Sequence, residues 1–93
     1  MRIIGYIEHP NLKITIFKMN NRLSVKFESG LYEETYKFRE SEEISSLEHI
    51  KKIVDADFLC IVERNLAAMH QTKMAALSRY LPAEEEEEFA EII

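Results

Sequence analysis

The sequence predicts an α+β fold: a four-stranded antiparallel meander, then a short helix and a long helix packed on one sheet face. Three observations carry that prediction. Apolar and polar residues alternate in four runs before residue 40, the period of strands with one buried face. Two pairs of turn formers, Asn20-Asn21 and Ser29-Gly30, separate the later runs. After Arg39 the apolar spacing changes to three and four, which is helical.

The first run covers residues 2–8. Ile3, Gly5 and Ile7 share one face, and Ile4 and Tyr6 share the other. Both faces are apolar, so the turn His9-Pro10-Asn11 fits either register, as in a strand covered on both sides. The second and third runs, 12–19 and 22–28, flank Asn20-Asn21. Asparagine tolerates the positive φ that a two-residue hairpin turn needs. This turn places Lys18 opposite Leu23, Ile16 opposite Val25 and Ile14 opposite Phe27. On the other face Phe17 meets Ser24, Thr15 meets Lys26 and Lys13 meets Glu28. Apolar residues fall together and one opposite-charge pair forms, so the register is self-consistent. Leu23, Val25, Phe27, Ile14 and Ile16 are therefore expected beneath the long helix. Ser29-Gly30 as the next turn sets Phe27 opposite Tyr32, Leu23 opposite Tyr36 and Lys26 opposite Glu33. It also sets Glu34 opposite Val25 on the apolar side, a conflict that an edge strand or a buried partner would accommodate.

Ser45-Ser46-Leu47-Glu48 fits a capping box with Ser45 as N-cap and Glu48 reaching back. Leu47, Ile50 and Val54 follow at helical spacing. A longer helix is expected over 57–81, with Leu59, Val62, Leu66, Met69, Ala76 and Tyr80 as its apolar stripe. Pro82 ends it or begins another turn. Residues 1–82 read as a single α+β domain and 83–93 as an acidic C-terminal tail. Strands of eight residues span about 26 Å at ~3.3 Å each. A 25-residue helix spans about 37 Å at ~1.5 Å each, so its last turns overhang the sheet. Met74, Leu77, Tyr80 and Leu81 would then face water, and a homodimer is the expected cover. The rival cover is the tail itself, through Phe89, Ile92 and Ile93.

No apolar run approaches the ~20 residues that span a bilayer. The start, residues 1–7, is short, carries only Arg2 and lacks a small-residue cleavage site, so no signal peptide is expected there. Cys60 is the only cysteine, which builds neither a disulfide framework nor a zinc site within one chain. A cytoplasmic location is expected, with no membrane partner. Cys60 sits in the apolar run Phe58-Leu59-Cys60-Ile61-Val62 and is expected as a small core residue. Gly5 and Gly30 are the only glycines, so no phosphate-cradling loop exists, and no nucleophile elbow or His-Glu-x-x-His motif appears. Neither an enzyme nor a cofactor is expected. His9 belongs to a turn, and His49 is expected to be solvated on the first helix. Glu63 and His70 share a helix face but stand about 10 Å apart along the axis, too far to grip one metal ion unaided.

Net charge is −5, unevenly spread. Residues 1–39 carry seven basic and four acidic side chains, and the tail carries six acids. Without the tail, twelve bases stand against eleven acids. The polar sheet face gathers Lys13, Thr15, Phe17, Arg22, Ser24, Lys26, Thr35, Lys37 and Arg39, with Glu28 and Glu33. Cations for phosphates and a ring for base stacking suit a single-stranded nucleic acid. Lys13, Phe17, Arg22, Lys26, Lys37 and Arg39 are the candidate contacts. An ordinary solvated face, with lysines that discourage edge pairing, accounts for the same residues. The leading expectation is a non-catalytic binding or protein-interaction module, with single-stranded nucleic-acid binding as the alternative.

The segments GYIEHP, KITIFKMNNR and GLYEETYKF together resemble a small uncharacterised bacterial protein family of about 90–100 residues. The resemblance covers most of the chain and implies no activity and no functional residues. In topology alone, four strands then a helix resembles the repeat of PUR and Whirly nucleic-acid-binding domains. Such domains often pair with helices packed across the partner, which implies the same homodimer.

Overall fold

Two residues in the left-handed region, Asn20 at φ 54° and Gly30 at φ 59°, fold the first half of the chain into a meander. The computed structural model describes residues 1–81. The acidic tail expected over 83–93, and the role expected of Pro82, lie outside the described residues. The strands are β1 (Arg2–Ile7), β2 (Lys13–Met19), β3 (Arg22–Ser29) and β4 (Tyr32–Arg39). They form one antiparallel sheet in sequence order, with β1 and β4 at its edges. Helices α1 (Leu47–Ile53) and α2 (Ala56–Tyr80) follow.

The β2–β3 register is the expected one, from Lys13 opposite Glu28 to Met19 opposite Arg22. The β3–β4 register is not. Ser29 pairs with Tyr32, so the turn is Gly30-Leu31 rather than Ser29-Gly30. In both hairpins the positive φ falls on the first of the two loop residues. Gly30 therefore takes the place that Asn20 takes in the other turn, and Ser29 stays in the strand. The slip is two residues, so every side chain keeps its face while partners change. Phe27 meets Glu34, Val25 meets Tyr36, Leu23 meets Phe38 and Lys26 meets Thr35.

β1 follows neither simple alternation. Ile3 pairs with Phe17 and Gly5 with Ile16, leaving Ile4 as an extra residue. This bulge resolves a strand that is apolar on both sides. Ile4 and Ile7 pack against the core, while Ile3 and Tyr6 take the outer face opposite Phe17 and Thr15. Gly5 meets the first residue of α1: a Cβ there would lie 2.6 Å from Cδ2 of Leu47.

The core lies between the inner sheet face and the helices. Ile14, Ile16, Leu23, Val25 and Phe27 are buried with Ile50, Val54, Val62 and Leu66. Phe27 stacks on Phe58 at 5.6 Å between centroids, and Tyr36 meets both rings edge-on. This aromatic cluster fixes α2 over β3 and β4. Glu34, on the same inner face, accepts hydrogen bonds from the Tyr36 hydroxyl and from Asn65 Nδ2 of α2. Its strand is an edge strand and its partners are polar groups from the core rim, which removes the conflict seen in the sequence.

Asp55 caps α2 by accepting from the Phe58 N–H at 2.9 Å. In α1 the N-cap is Ser46 rather than Ser45, and its hydroxyl accepts from the His49 N–H. His49 takes the reach-back role expected of Glu48, because its Nδ1 accepts from the Ser45 N–H at 3.1 Å. His49 is thus half-buried and bonded rather than solvated. Cys60 is exposed, not a core residue. An apolar run of five on a helix covers every side of it, and of that run only Phe58, Leu59 and Val62 pack on the core.

Candidate nucleic-acid interface

Strand pairing turns the outer sheet face into rows. Met19, Arg22 and Arg39 form the row beside the Asn20-Asn21 turn. Ile3, Phe17, Ser24 and Lys37 form the next. Tyr6, Thr15, Lys26 and Thr35 follow, and then Lys13, Glu28 and Glu33. The bulge in β1 is what lets Ile3 join Tyr6 on this face.

The six expected contact residues all lie on this face, but in two electrostatic settings. Lys26 lies 3.7 Å from the Glu28 carboxylate and 3.8 Å from that of Glu33. Its ammonium also sits 5.5 Å from the centre of the Phe17 ring. Lys13 stands opposite Glu28. The end of the face near Gly30 is therefore charge-balanced, and the half-buried Phe17 ring already carries a cation.

The opposite end is not balanced. Arg22 and Arg39 are directly opposed on neighbouring strands, where Cβ atoms stand about 5 Å apart and like charges repel. Lys37 lies one row away on the same strand as Arg39. Among the described residues, none of these three forms a salt bridge. The nearby Glu40 carboxylate is committed to Lys18 at 3.2 Å. Met19, Asn20, Asn21, Arg22 and Arg39 line a cleft of about 380 Å³ beside the turn. An anion placed there would relieve the repulsion and gain two guanidinium groups as donors.

Tyr6, 55 % exposed, is the freest ring of the face. The sequence does not mark Tyr6 as a contact, because β1 is apolar on both faces and fits either register. Tyr6 faces Thr15, two residues along β2 from Phe17, so the two rings are diagonal neighbours.

The remaining polar groups gather at the other end of the molecule. His9 Nδ1 accepts from the Asn11 N–H, and its Nε2 lies 3.8 Å from the Glu63 carboxylate. His70 Nδ1 pairs with the Tyr32 hydroxyl at 2.7 Å. Glu63 and His70 thus have separate partners, and no cluster of three metal-ligating side chains occurs among the described residues. No helix of the described residues is long and apolar enough to cross a membrane.

Fold and face define a class: an antiparallel meander covered by helices on one side and open on the other, with cations and rings on its open face. The chain matches no family model, no curated protein and no solved structure.

Proposed function

We propose that this domain is a binding module whose open sheet face holds single-stranded nucleic acid. The observation that carries the reading is the directly opposed Arg22 and Arg39, with Lys37 beside them and no acidic partner among the described residues. Phosphates meet these cations, and bases extend across the sheet toward Tyr6 and the Ile3–Phe17 row. The compensated end, with Glu28 and Glu33, limits the footprint to the half of the face near the Asn20-Asn21 turn. Net charge does not oppose this, because a ligand at a few ångströms responds to the local field.

Anisotropy of labelled oligo(dT) and oligo(U), titrated with the full chain at low salt, tests the reading. Binding is expected to weaken steadily on a log–log plot as salt rises. Arg39→Gln is expected to reduce that slope by about one. Tyr6→Ala is expected to weaken binding by about 1–3 kcal/mol without changing the slope. Absence of binding at low salt, with and without residues 83–93, overturns the reading.

A further inference from the structure

Leu66 is the last buried residue of α2, and every residue from 67 to 80 is exposed. That is about 21 Å of helix at 1.5 Å per residue, marginal in water on its own. Met69, Lys73, Ala76 and Tyr80 follow at steps of four, three and four, so they share one face of this segment. At one end the face borders a cleft of about 410 Å³, lined by Tyr32, Ala68, Met69, Thr72 and Lys73. Lys73 lies 5.4 Å from the centre of the Tyr32 ring, which walls the cleft. At the other end Tyr80 projects into solvent, 82 % exposed. Projecting ring and cleft are about 15 Å apart along one helix.

We propose that two copies of this chain pair antiparallel through this face, each Tyr80 seated in the cleft of the other. A twofold axis crossing α2 between residues 74 and 75 fills both clefts at once. It sets Met69 opposite the partner's Tyr80 and Lys73 opposite the partner's Ala76, so a long side chain meets a short one. The thioether then lies against an aromatic ring, a favourable contact. Leu77, 38 % exposed, flanks the contact, while Met74 and Leu81, further round the helix, turn away from it. By the same spacing Arg64 sits on the opposite side of α2 and points away from the pair, while Arg79 lies about a quarter-turn from the face, on its flank. Antiparallel helices also set opposite dipole ends side by side. The twofold closes the assembly, because projection and cleft belong to the same surface. Each buried ring contributes about 150–250 Å². Two buried rings make a small contact beside the ~800 Å² per partner of a standard interface, so the pairing is reversible. The open sheet face takes no part, so this inference is independent of nucleic-acid binding.

Sedimentation equilibrium of the full chain, an 11.0 kDa monomer, tests the pairing. A reversible dimer is expected at micromolar concentration. Tyr80→Glu is expected to weaken it at least about tenfold, since an anchor ring is worth more than 1.4 kcal/mol. Circular dichroism checks that this variant stays folded, as an exposed position allows. Register is tested by Met69→Cys with Tyr80→Cys in a Cys60→Ser background. The two positions are about 16 Å apart on one helix, too far for an internal disulfide, so oxidation is expected to give a covalent dimer. A monomer at high micromolar concentration overturns the proposal. So does a dimer indifferent to Tyr80→Glu, a failure to cross-link, or a dimer that forms only after residues 82–93 are removed. The last result would show that the tail, not a second copy, occupies the face.

Discussion

Asn65 on α2 donates to the Glu34 carboxylate at 3.3 Å, across the gap between helix and edge strand. The Tyr36 hydroxyl donates to the same carboxylate. An acid on the apolar face of a strand is costly alone. Here two donors from the core rim bind it, and the resulting polar link holds α2 on β4.

That link predicts a pH dependence. The hydrogen bond to Glu34 is the main cause that raises the Tyr36 phenol above its ordinary value of 10.0, followed by burial and the carboxylate charge, while Asn65 acts in the opposite sense. A folded-state value above the unfolded one means that the folded protein keeps its proton longer. Stability from this group is complete below pH 10 and declines as pH rises toward the folded value. Denaturant melts across the alkaline range are expected to show this decline, and Tyr36→Phe is expected to remove the part due to this residue.

Val25 and Ile16 are fully buried and directly paired. Val25→Asp or Ile16→Asp places an unpaired charge in that site and is expected to unfold the domain at a cost of several kcal/mol, on the order of its whole stability. Thermal melts followed by circular dichroism check this. A wild-type transition in either variant contradicts the packing.

Gly5→Ala puts a methyl against the Leu47 side chain, which must move. The expected loss is about 1 kcal/mol, at the low end for overpacking because Leu47 is only half-buried. In the double variant with Leu47→Ala the Gly5→Ala penalty is expected to shrink. A double-mutant cycle by urea denaturation measures that coupling.

Cys60 faces solvent, with no disulfide partner in the chain. A thiol reagent is expected to label it in native buffer at a rate close to that in denaturant. Slow native labelling, accelerated by denaturant, would contradict its placement on the outer side of α2.

Removing residues 83–93 takes away six negative charges. If the open face binds nucleic acid, truncation is expected to tighten binding at low salt and to matter less as salt screens the tail. Weaker binding by the truncated chain would assign the tail a direct contact instead.

Alternation and turn chemistry alone determined the four strands, the β2–β3 register and the buried set Ile14, Ile16, Leu23, Val25 and Phe27. These are local matters: a period of two fixes the faces, and a residue that tolerates positive φ fixes the hairpin. The two helices were legible for the same reason, through a period near 3.6. Tertiary structure decided the rest. Whether Gly30 stood first or second in its turn changed each β3–β4 partner by two residues without moving a side chain to the other face, so hydrophobic pattern was blind to it. The bulge at Ile4 is equally invisible, because β1 is apolar on both sides, yet it alone puts Ile3 on the same face as Tyr6, opposite Phe17. Cys60 and Glu34 were misplaced or unexplained for a common reason. Burial on a helix or an edge strand depends on which neighbour covers a given side, and that neighbour is distant in sequence. The opposed Arg22 and Arg39, finally, are 17 positions apart in the chain and meet only because the Gly30-Leu31 hairpin returns the end of β4 to the start of β3.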